Sequence, residues 1–220
     1  MDRPDGNSIK TKARALAFSG IAIALALILN FLSDILSWNT LFLLALAAFL
    51  MGTVCYLTGS KRAAFTATVA VAILTFWLAP NKIHVFTFLP LAFYVQVAES
   101  IYMCRRMGKQ LSLPLEIGCK IISWYVFLAA GVYMTALLLM HILYRTPQGS
   151  APAVWTVFFF LQKEELPEFL AGLPAPALLA AVILLAGLFG ALVDRAYLWY
   201  AMALHPRVEK MIREDQDGKI

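Results

Sequence analysis

Long apolar blocks, broken by short polar links, fill most of this chain. The blocks predict six helices, at about residues 13–32, 41–57, 63–79, 83–104, 117–144 and 175–204. Each is close to or above the roughly 20 residues a helix needs to cross a bilayer. The links are the polar loop from Ser33 to Thr40, the turn from Thr58 to Arg62, the break at Pro80 to Lys82, and a basic stretch from Arg105 to Pro114. Proline has no amide to donate and restricts the residue before it, so Pro80 is expected to end the third helix. The sixth block is longer than a bilayer requires and is expected to tilt or to project from the membrane.

Residues 145–173 break the pattern. They begin polar, continue through the apolar run Val154 to Leu161, and turn acidic at Glu164 and Glu165. That run is too short to span. Trp155 and the phenylalanines after it suit an interfacial or re-entrant segment of an outer loop. Two readings stand for this segment, a lid packed on the helix ends and a ligand gate.

Composition agrees with the pattern. The chain of 220 residues is 61% hydrophobic and 14% charged, with a mean hydropathy of +0.77. A soluble domain carries about 25% charged residues. Six spans leave no room for a separate soluble domain, so residues 1–220 form a single membrane domain. The net charge of +5 does not signal nucleic acid, because the basic residues sit at helix ends. There they orient membrane segments. Thirteen Lys and Arg lie in the N-terminal segment, the second and fourth links and the C-terminal tail, against three (Lys82, Arg145, Lys163) on the other side. This places both termini in the cytoplasm of a cell membrane. No small-residue cleavage pattern follows the first block, so it reads as a retained helix rather than a signal peptide.

The first helix carries small residues in a stripe. Ala13, Ala17, Gly20 and Ala24 recur at spacings that share one face. Small residues let a second helix approach closely in lipid. The stripe is read either as internal packing or as a docking face for another membrane subunit. At the outward ends, polar and aromatic residues gather: Asn30, Asp34 and Trp38 after the first helix, Asn81 and His84 at the fourth, Tyr133 and His141 in the fifth, Trp155 in the long loop. Each alone suits an interfacial anchor. Together they nominate an outward-facing small-molecule pocket. Glu99 lies about 24 Å into the fourth helix, and Asp194 with Arg195 about 30 Å into the sixth. These are expected to form ion pairs near the inner surface, such as Glu99 with Arg195 or Asp194 with Arg105. Cys55, Cys104 and Cys119 lack metal-binding spacing and are expected to be buried thiols. No catalytic, nucleotide, cofactor or metal motif is present.

The run Lys10-Thr-Lys12-Ala13-Arg14-Ala15-Leu-Ala17-Phe-Ser19-Gly20-Ile-Ala22-Ile-Ala24, followed by a short outer loop and five more spans, resembles the substrate-binding membrane subunits (S-components) of energy-coupling factor transporters. Residues 74–94 are similar to S-component-like proteins of Gram-positive bacteria, and the resemblance covers about residues 10–144. It implies an S-component-like bundle that binds a vitamin or similar micronutrient near the outer face, at Asn30, Asp34, Trp38 and the outer ends of helices four to six. It also implies that Ala13, Ala17, Gly20 and Ala24 meet a coupling transmembrane subunit, which works with two cytoplasmic ATPases. The chain carries no signature for riboflavin, thiamine, biotin, folate or cobalamin, and its 145–173 loop is longer than the family's usual connection. Two other classes fit the same pattern: a non-catalytic membrane scaffold of the cell-shape type, and a lipid-handling protein.

Overall fold

A computed structural model describes residues 6–36, 39–79, 82–108, 112–143 and 175–214. These are all-helical: α1 (Gly6–Ile35), α2 (Thr40–Thr58), α3 (Lys61–Leu78), α4 (Ile83–Arg106), α5 (Leu113–Leu143) and α6 (Ala175–Glu214). No strand occurs among the described residues. All six helices are long and apolar enough to cross a membrane, so the chain is a multi-pass membrane protein. The segment 145–173, with Trp155, lies outside the described residues.

The helix ends follow from their residues. Gly59 closes α2 with φ 60°, a left-handed conformation that costs other residues free energy. Ser60 then caps α3, its hydroxyl accepting from the Ala63 amide at 3.3 Å. Ala79, which precedes Pro80, is extended and ends α3, as expected of a residue before proline. Helix α5 begins four residues earlier than the apolar block, at Leu113. Pro114 does not prevent this, since a first-turn amide has no helical partner to lose. Helix α6 runs ten residues past its expected end and continues through Pro206.

Helices α2 and α4 form the interior. Ala47, Ala48, Met51 and Cys55 of α2 are buried against Phe88, Ala92 and Val95 of α4 and Ala22 and Ala26 of α1, in one continuous core. Lipid is as apolar as leucine, so this core is held by close packing rather than by expulsion of water. Gly52 shows how close the packing is. A Cβ there would collide with the Tyr197 ring of α6 and with Val95. Of the thiols, only Cys55 is fully buried. Cys104 is half-buried and Cys119 is exposed, because α5 turns much of its surface away from the bundle.

Helix α6 adds Val193, Tyr197 and Ala201 to the core and is also tied to the bundle by side-chain hydrogen bonds. Going down its length, Tyr125 donates to Ile183 O at 2.8 Å and Trp124 to Ala186 O at 2.9 Å. Tyr197 then donates to Glu99 at 2.6 Å, and Tyr200 meets Thr53 at 3.1 Å. Many of its leucines and isoleucines remain exposed, including Leu184, Leu188 and Leu192.

Candidate functional site

Helix α1 sorts its two faces. Ser19, Ala22, Ala26, Asn30 and Ser33 are all buried, at spacings of three and four that make one inward stripe. Ala13, Ala17, Gly20 and Ala24 are all exposed, and a Cβ on Gly20 would meet nothing within 4 Å. Among the described residues, nothing packs on this small-residue stripe.

The inward stripe ends in a polar cluster. Asn30 is fully buried and donates from Nδ2 to Ala26 O at 2.9 Å. Ser33 donates to Asn30 O at 2.7 Å, and Thr40, opening α2, donates to Ser33 O at 3.1 Å. His84 of α4 reaches across to this helix end. Its Nδ1 lies 2.6 Å from Asp34 Oδ1 and 3.3 Å from Ser33 Oγ. The Asp34 side chain is only 4% exposed. Four buried oxygens at this end have no hydrogen-bond partner among the described residues: Asn30 Oδ1, both Asp34 oxygens, of which Oδ1 has only its ion-pair contact with His84, and Thr75 Oγ1 of α3. Buried polar atoms are normally satisfied, so such acceptors call for an explanation.

Asn30, Asp34 and His84 thus converge, as their positions at helix ends predict. Tyr133 does not join them; it is 62% exposed on α5. Trp38, Asn81, Trp155 and the side chain of His141 lie outside the described residues. Lys82 turns back instead, donating to Ala79 O at 2.7 Å, where its charge complements the end of α3.

A second polar system lies toward the basic end. The expected pairs do not form. Glu99, fully buried, takes the Tyr197 hydroxyl rather than Arg195, and His205 Nδ1 stands 3.9 Å from its other oxygen. Asp194 meets Lys120 at 3.0 Å and the Tyr94 hydroxyl at 3.1 Å, while Arg105 pairs with Glu116 across the α4–α5 link. Lys120 also bridges to Glu116, one turn away, at 3.3 Å. The reason for the difference is angular. Successive helical residues point about 100° apart, so Asp194 facing α5 turns Arg195 elsewhere. Sequence reasoning missed Lys120, Tyr197 and His205. Glu116 and Lys120, spaced i,i+4, were the available signal.

Two cavities open beside α4. One, of about 1020 Å³, is an apolar groove between α3, α4 and α5, with Lys61 and Arg62 at one end. The other, of about 750 Å³, lies between α4, α5 and α6 and contains Glu116, Lys120, Asp194 and Arg195. Neither is lined by Asn30, Asp34 or His84.

These features define a multi-pass helical membrane protein with buried polar centres toward both ends of the bundle. Its amino-acid sequence matches no protein-family model and no curated protein, and its fold matches no solved structure.

Proposed function

We propose that this chain is a membrane-embedded binding subunit for a small solute, of the energy-coupling factor type. The basic ends of the helices face the cytoplasm of a cell membrane, and the solute is taken at the opposite end. The observation that carries this reading is the division of α1. One face ends in buried acceptors with no partner among the described residues, and the other is a smooth strip of exposed small residues. The first suits a ligand and the second a partner helix.

The chemistry of the acceptors narrows the ligand. An amide oxygen and a carboxylate oxygen call for N–H or O–H groups, while the hydroxyl can donate or accept, so the solute presents an amine, amide or hydroxyl rather than a bare anion. Vitamins and related micronutrients carry such groups. The coupling transmembrane subunit docks on Ala13, Ala17, Gly20 and Ala24, and two cytoplasmic ATPases supply the energy.

The test is purification of the wild-type chain and an Asp34→Asn variant, with mass spectrometry of co-purified small molecules and of co-purified proteins. A donor-bearing solute on the wild type and its loss from the variant are expected, together with a membrane partner on both. Wild-type protein that brings down neither solute nor coupling subunit refutes the proposal.

A further inference from the structure

We propose that the cavity between α4, α5 and α6 holds an anionic phospholipid, with its phosphate on Arg195. This site is separate from the cluster at the far end of α1 and does not rest on the function proposed above.

The unpaired charge of Arg195 carries the argument. Its neighbour Asp194 is bonded to Lys120 and Tyr94. Lys120 lies about 10 Å into α5 from Leu113, and Tyr94 about 18 Å into α4 from Arg106, at 1.5 Å per residue. Arg195 therefore sits about two to three turns in from the basic ends of α4 and α5, in a cavity that Arg105 also lines. It is exposed, it lines the cavity, and it makes no ion pair or hydrogen bond among the described residues. An arginine beside an apolar wall at this level favours an anion that pairs with it.

The protein does not supply that anion from the cavity walls. Their acids, Glu116 and Asp194, are engaged by Arg105 and Lys120. Three cations against two acids leave one positive charge, and it falls to Arg195. Guanidinium binds phosphate through two parallel hydrogen bonds. Above the charges the walls become apolar and aromatic, with Trp124, Tyr125 and Leu188. A phosphate below and hydrocarbon above is the arrangement of a phospholipid.

Volume separates lipid from a partner helix. A helix about 10 Å across fills 750 Å³ in about two turns, so it cannot seat a useful length there, whereas acyl chains can thread the space. Entry is lateral, between α5 and α6, where Ile121, Leu184 and Leu188 are exposed.

The experiment uses the purified chain in nanodiscs of phosphatidylcholine, titrated with phosphatidylglycerol or with inorganic phosphate. Bound lipid is read by native mass spectrometry and stability by thermal unfolding. Phosphatidylglycerol is expected to bind and to raise the unfolding temperature, while inorganic phosphate does neither. Arg195→Gln is expected to weaken lipid binding by about tenfold, the scale of one charge-assisted contact. Arg62→Gln, in the other groove, is expected to leave it unchanged. Ala191→Trp, which fills the cavity and keeps the charge, provides a second variant if Arg195→Gln does not fold, and the same loss is expected. Equal binding by the cavity variants, equal loss with Arg62→Gln, or reproduction of the effect by inorganic phosphate overturns the proposal. A stability that ignores phosphatidylglycerol also overturns it and leaves Arg195 to a partner's carboxylate.

Discussion

Removing one oxygen atom from α6 tests how this helix is held. Tyr197→Phe keeps the ring, which packs on Phe49 at 5.4 Å between centroids, and deletes the hydroxyl that donates to Glu99 at 2.6 Å. Glu99 is fully buried and its other oxygen has no hydrogen-bond partner among the described residues. The variant therefore strands a whole buried carboxyl group. A hydrogen bond to such a group contributes about 1.5–3 kcal/mol in proteins generally, whereas side-chain hydrogen bonds between membrane helices average about 0.6 kcal/mol. The higher range applies here because no second donor is within hydrogen-bonding geometry of Glu99, and a loss of about 2 kcal/mol is expected. Tyr200→Phe is the internal control. Its partner Thr53 also donates to Phe49 O at 3.3 Å, so Thr53 keeps a bond and the expected loss is about 0.5 kcal/mol. Reversible unfolding in mixed micelles, followed by tryptophan fluorescence or steric trapping, measures both. A double-mutant cycle with Glu99→Gln isolates the pair. If Tyr197→Phe costs no more than Tyr200→Phe, the idea that α6 is fastened by its polar contacts is refuted.

Three further outcomes are expected. Lys120→Met leaves Asp194 with the Tyr94 hydroxyl but no cation, while Glu116 keeps Arg105; it should destabilise by about 1–2 kcal/mol, with much of the loss recovered by adding Asp194→Leu, and the same unfolding assay reads it. Gly190→Ala places a methyl against the Trp124 ring, where a Cβ would lie 2.7 Å from the nearest ring atom, and overpacking of about 1–3 kcal/mol is expected with a red-shifted tryptophan emission as the local reporter. Ala17→Trp combined with Gly20→Trp should leave the unfolding transition in place, since both positions are exposed, while co-purification with a coupling subunit is lost.

The spans were legible because the requirement of about 20 apolar residues is strict. The convergence of Asn30, Asp34 and His84 was legible for a related reason. Alternating helices put the end of α1 and the start of α4 on the same side, and Asn30 and Asp34 are one turn apart. What sequence did not disclose was rotation about each helix axis. In a soluble bundle the apolar stripe marks the interior. In lipid both faces are apolar, so nothing told Tyr197 and His205, which are buried, from Tyr133, which is exposed. The two stripes of α1 show the same ambiguity. Ser19–Ala22–Ala26–Asn30–Ser33 is as regular as Ala13–Ala17–Gly20–Ala24, and only the packing of α2 and α4 against the first distinguishes them. The inner ion pairs went astray because adjacency in sequence at Asp194 and Arg195 means divergence in space.

Helix α1 is unbroken from Gly6 to Ile35 and contains no proline. Gly20 and Asn30 are about 15 Å apart on it. A rod of that kind behaves as a stiff axle. Its alanine side and the carboxylate of Asp34, which meets an imidazole mounted on a different helix, belong to one continuous body. Under the function proposed above, a partner on one flank and a solute at the other would share this single rod.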